Sequence, residues 1–94
     1  MIQIPPQVFP LGRLLITPRA QRLLDECRES VWTLLFLHGS GLWVSDEHRL
    51  AFEHALKQDS CIASFHTTAN GQSICVRTDA SRSTTVVMLA EEFK

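Results

Sequence analysis

The sequence predicts an α+β fold in the order β-α-α-α-β-β-β, an antiparallel sheet of three to four strands covered on one face by helices. Three observations carry that expectation. Ser60 to Leu89 holds three strand-like runs, one strong turn and one polar corner. Asn70-Gly71 separates the first two runs and is the dipeptide that best tolerates the positive φ angles of a two-residue hairpin turn. Upstream, two apolar-periodic stretches carry helix start signals, Thr17-Pro18 and Ser45 with Asp46 and Glu47 behind it.

Taken in order, residues 1–10 contain three of the four prolines and read as an extended arm, leaving 11–94 as one domain. Leu11 to Ile16 reads as a short first strand that joins an edge of the sheet. Thr17 is then a hydroxyl N-cap with Pro18 at the first helical position, and Ala20, Leu23, Leu24 and Cys27 form a buried stripe at i, i+3, i+4 and i+7. Arg19, Arg22, Asp25 and Glu26 fall on its solvent side. Ser30 caps a second helix that stops at Gly39; its run VWTLLFL is apolar nearly all round, which places it between the sheet and the other helices. A loop around Trp43 follows, then a third helix with Phe52, Ala55 and Leu56 inward and Glu53 with Lys57 as an exposed i, i+4 pair.

With Asn70 and Gly71 as the whole turn, Thr67 faces Ile74, Phe65 faces Val76 and Ala63 faces Thr78 on an apolar face. His66 with Cys75 and Ser64 with Arg77 then share the other face. Thr84 to Leu89 is apolar on both faces and reads as the most buried strand.

Ninety-four residues allow one core. A 45% apolar and 20% charged composition is that of a globular chain, and a net charge of −1 gives no bulk field toward nucleic acid or an acidic membrane. Cys27, Cys61 and Cys75 form no C-x-x-C pair and leave an odd thiol, the pattern of reduced cysteines in a cytoplasm. The N-terminus has no basic, apolar leader pattern, and the longest apolar run, Trp32 to Leu37, is too short to span a bilayer.

Four histidines and three cysteines raise the question of a metal, but the spacing does not support one. His48 and His54 are six apart, on different helix faces, and the His66–Cys75 pair supplies two ligands where zinc needs four. The same pair is the only candidate for Cys–His nucleophilic chemistry. Both residues lie inside expected strands, away from the helix N-termini and strained turns that activate thiols. Neither catalytic residues nor a cofactor is expected. Arg13, Arg19, Arg22 and Arg28 are interleaved with acids and read as a solvated surface. What remains is the corner between the last two strands. Asp79 and its serines suit a turn, whereas Arg82 has no visible structural task. Arg77, Asp79, Arg82 and Ser83, with Trp43 as a weaker member, are the expected partner-binding set, since arginine and tryptophan dominate binding hot spots.

The spacing of Leu11-Gly12, Ile16-Thr17-Pro18, His38, Gly41, Trp43, Ala55-Leu56, Gly71, Ile74, Val76, Thr78 and the block Asp79 through Glu92 resembles an uncharacterised family of small "plasmid-related" proteins of bacterial plasmids and integrative elements. The likeness covers about residues 11–93. Gly41-Leu42-Trp43-Val44-Ser45 stands where that family has an acidic G-D-W-G-D segment, and Phe52 where it has asparagine. The resemblance implies a role that mobile elements need. The expectation is a non-enzymatic cytoplasmic module that binds a protein, such as an inhibitor of a host CRISPR or restriction complex. The alternative is a plasmid-maintenance regulator or antitoxin that contacts nucleic acid, and an enzyme using Cys75 and His66 comes third. Unpaired sheet edges further imply a homodimer, through a sheet edge or through the sheet's outer face.

Overall fold

The computed structural model describes residues 9–40, 47, 49–58 and 60–93. Residues 1–8 of the proline-rich arm, Trp43 with its loop, the Ser45 cap and His48 lie outside them. The elements are β1 (Arg13–Ile16), α1 (Pro18–Cys27), α2 (Val31–Ser40), α3 (Arg49–Lys57), β2 (Ile62–Thr67), β3 (Ser73–Thr78), β4 (Thr84–Leu89) and a closing 3-10 turn, Ala90–Glu92. The expected α+β class and element order stand. Among the described residues no helix is long and apolar enough to cross a membrane.

The four strands form one sheet in the order β1-β4-β3-β2. It is mixed rather than antiparallel: β2–β3 and β3–β4 are antiparallel, but β1 runs parallel to β4 at the edge. Three helices lie between β1 and β2, long enough to return the chain to the same end before the next strand starts, and this is what a parallel neighbour requires. Gly12, with φ +66, brings the chain onto β4 so closely that a Cβ there would lie 2.4 Å from the Ser83 carbonyl oxygen.

The helix signals work locally as the residues dictate. The Thr17 hydroxyl accepts from the Ala20 amide at 3.2 Å with Pro18 in the first turn, and the Ser30 hydroxyl accepts from the Trp32 amide at 3.2 Å. Gly39 does not end α2, which continues to Ser40, whose hydroxyl turns back to the Leu37 carbonyl at 2.9 Å. Nor is α2 enclosed all round: Leu34 and Leu35 are buried, but Trp32 is 68% exposed.

The hairpin register differs by one residue from the sequence expectation. The Gly71 amide donates to the Thr68 carbonyl and the Thr68 amide to the Gln72 carbonyl, so the loop has three residues, Ala69-Asn70-Gly71, and only Gly71 has positive φ. This is a type I turn closed by a left-handed glycine, the other loop that Asn-Gly favours. A one-residue slip turns every β2 side chain to the opposite face. Ile62, Ser64 and His66 therefore join Thr78, Val76 and Ile74 beneath the helices, while Ala63 and Phe65 pair with Arg77 and Cys75 on the other face. The core lies between the helices and the first of these faces, with Leu23, Leu24 and Leu34 against Ile74, Val76 and Val87. As expected, β4 is an interior strand with Val87, Met88 and Leu89 buried.

Candidate functional site

The corner residues expected to bind a partner divide between two tasks. Asp79 closes the β3–β4 loop. Its carboxylate accepts from the Ser83 amide and hydroxyl at 2.9 Å each, from the Ser81 hydroxyl at 3.2 Å and from the Thr84 amide at 3.3 Å. Desolvation pushes this carboxyl up, but the hydrogen bonds from Ser83, Thr84 and Ser81 outweigh it and hold the group below its ordinary range. Its carboxylate is taken up by these loop groups, and only its backbone carbonyl meets an arginine side chain.

Arg82 corrects the expectation that it lacked a structural task. It takes left-handed φ (61°) and sends its guanidinium to the carbonyls of Ala55, Asp79 and Ser60, with its Cζ 5.7 Å from the centre of the Phe9 ring. It thereby satisfies the carbonyl end of α3 and ties the corner to the chain ahead of β1. Arg77 points to the sheet face away from the helices, where its Nε donates to the Cys61 sulfur at 3.1 Å. The two arginines thus stand on opposite faces of the sheet and form no common surface. Trp43 lies outside the described residues.

Beneath the helices runs a line of polar side chains that the sequence reading did not assemble. Its order of donors follows from one fixed end. The Thr85 hydroxyl donates to the Leu11 carbonyl at 2.7 Å, so it must accept from Thr78, 2.7 Å away. Thr78 then has no proton left for His38, and His38 Nε2 donates to it at 2.8 Å. Nδ1 is therefore the bare nitrogen and accepts from Ser64 at 2.6 Å, which in turn accepts from His66 Nε2 at 2.8 Å. His38 is fully buried, and desolvation, helped by the nearby His66, lowers its pKa to about 4, keeping it neutral in this tautomer. Desolvation lowers His66 as well. Ser64, at 1% exposure, is shut off from any substrate, and each hydroxyl in the line completes its neighbour's hydrogen bond. The geometry is that of a buried polar pin across α2, β2, β3 and β4.

The register shift also dissolves the His66–Cys75 pair, whose members are on opposite faces. Burial, reinforced by Cys61, pushes the Cys75 thiol up to about 11 against the opposing pull of Arg77, far from an activated thiolate. Among the described residues no group of three or more histidines, cysteines or acids is placed to hold a metal ion.

Two surfaces whose residues the sequence did not single out stand out. On the face away from the helices, Phe65 is 56% exposed and meets Phe93 edge-on at 5.8 Å, one strand from Arg77. At the β1 edge, Leu14 and Leu15 are 40% and 44% exposed. Leu14, Ile16 and Val87 there line a groove of about 170 Å³ with Val31, Trp32 and Leu35 of α2. The signal for the second was present: four consecutive residues without acid or proline on a strand expected at an edge. Comparison with protein-family models, with curated proteins and with solved structures finds no match to this chain.

Proposed function

We propose that this chain is a non-enzymatic protein-binding module that docks on a partner through the sheet face opposite the helices. The observation that supports it is the exposed Phe65, braced edge-on by Phe93 and flanked by Arg77. An aromatic anchor with a half-buried arginine beside it is the composition of a binding hot spot. Phe65 and Phe93 together form an aromatic pair on that face rather than a single scattered apolar side chain. Asp79, Arg82 and Ser83 serve the site by fixing the corner from which Arg77 emerges. Trp43 is a further contact in the same reading. The resemblance to a mobile-element family directs the choice of partner to host defence complexes of the CRISPR or restriction kind.

The test compares capture from a native bacterial host by the wild type, Phe65→Ser and Arg77→Glu, with melting followed for each. A protein retained by the wild type and lost from both variants at unchanged melting temperature supports the face. Equal retention by all three overturns it.

A further inference from the structure

Among the described residues no strand lies beyond the outer edge of β1, and we propose that two copies of this chain join there in an antiparallel register centred on Leu15. This goes beyond the partner-binding face and does not depend on it.

The backbone sets the register. The amides of Arg13 and Thr17 donate to the Ser83 and Val87 carbonyls, so odd-numbered residues of this strand turn their polar groups toward β4. Groups alternate along a strand, and Leu14 and Ile16 therefore turn N–H and C=O away from the sheet. A two-fold axis through Leu15 sets Leu14 opposite Ile16 of the second copy, and all eight outward groups close into four hydrogen bonds. An axis through Leu14 would instead set Ile16 opposite Gly12, whose φ of +66 takes it out of the extended ladder.

The side chains agree with that register. Leu14 meets Ile16 on the helix side, over the groove that Trp32 borders, and Leu15 meets Leu15 on the other side. Arg13 falls opposite Thr17, whose hydroxyl donates to the Glu92 carboxylate at 2.9 Å. Glu92 also accepts from the Leu89 amide; these two bonds hold its carboxyl below the ordinary range, so it is charged. Each exposed Arg13 then faces the other copy's Glu92, and the charges complement one another twice across the axis. Arg19, whose charge also reaches Glu92, is paired with Glu91, and no like charges stand directly opposite each other along the paired strands. The result is a continuous eight-stranded sheet with all helices on one side and two Phe65–Arg77 sites on the other.

Sedimentation and light scattering of the full chain at tens of micromolar test the association, and cysteine cross-linking tests the register. The wild type is expected to have twice the chain mass. Arg13→Glu, which opposes Glu92, is expected to weaken association by about tenfold or more without lowering melting at dilute concentration. In a background with Cys27 and Cys61 replaced by serine, Leu15→Cys should cross-link to dimer under mild oxidation. The facing Cα atoms of such a non-hydrogen-bonded pair are within disulfide reach. Leu14→Cys and Ile16→Cys should not cross-link. A monomeric wild type at tens of micromolar overturns the proposal, as does equal cross-linking at 14, 15 and 16. A monomer that still captures a host protein through Phe65 would overturn this inference while leaving the partner-binding face standing.

Discussion

The interior around His38 and the edge at β1 reverse the usual placement of polar and apolar groups. Beneath the helices lie an imidazole and three hydroxyls, from His38, Ser64, Thr78 and Thr85, all buried. At the edge, Leu14, Leu15 and Trp32 face solvent. The two departures differ in how they are compensated. Each polar group of the interior line has a partner, and no buried side-chain nitrogen or oxygen among the described residues is left without one. A closed line of this kind costs little and specifies one arrangement of α2 over the sheet. Among the described residues nothing covers the β1 edge, and the proposed second copy would supply its compensation. The buried polar cluster therefore reads as architecture, and the exposed apolar edge is where the proposed self-association would act.

The contrast is broken most severely at His38. His38→Ala removes the acceptor for Ser64 and the donor to Thr78, and opens a cavity where a ring stood edge-on to Phe9. A loss of about 4 kcal/mol in unfolding free energy, measured by urea titration, is expected.

Acid probes the same line more gently. The folded pKa of His38, about 4, lies below the unfolded value of 6.5, so the unfolded chain takes the proton first. Stability is then fully present above pH 6.5 and falls as the pH drops toward 4. The full effect is about 3 kcal/mol at 1.36 kcal/mol per pKa shift of one. The downward shift of His66 acts in the same direction. Thermal melts from pH 7 to pH 4 check this, and His38→Leu should flatten the profile.

The two left-handed glycines sharpen the comparison further. Gly12→Ala combines positive φ with a Cβ driven into the Ser83 backbone and should cost about 2–3 kcal/mol. Gly71→Val meets open space, so only its φ of +84 is strained and about 1 kcal/mol is expected. Equal losses in a melting comparison would mean that the β1–β4 contact at Gly12 is not as close as described.

What the sequence made legible was local. Thr17-Pro18, Ser30 and the stripe through Ala20, Leu23 and Leu24 act within one or two turns of helix, and their outcome follows from neighbours alone. The six apolar or β-branched residues of β4 required burial on both sides wherever the strand lay. Asn70-Gly71 announced a hairpin but not its length. Because two-residue and three-residue loops share that dipeptide, the face of every β2 residue hung on a single count. That count sent Ser64 and His66 into the interior line and Phe65 outward. Arg82 was illegible for another reason: its partners, Ala55 and Ser60, are more than twenty positions away, on an element that only the tertiary fold brings near. The parallel course of β1 likewise depended on where three helices return the chain.

Amide hydrogen exchange against protein concentration puts both regions into one measurement. The β3 amides beside the His38 line should be protected at every concentration. Those of Leu14 and Ile16 should exchange freely in dilute solution and become protected at tens of micromolar, while Arg13 and Leu15 are protected throughout. Exchange at Leu14 and Ile16 that does not change with concentration would contradict the account of the edge as an interface.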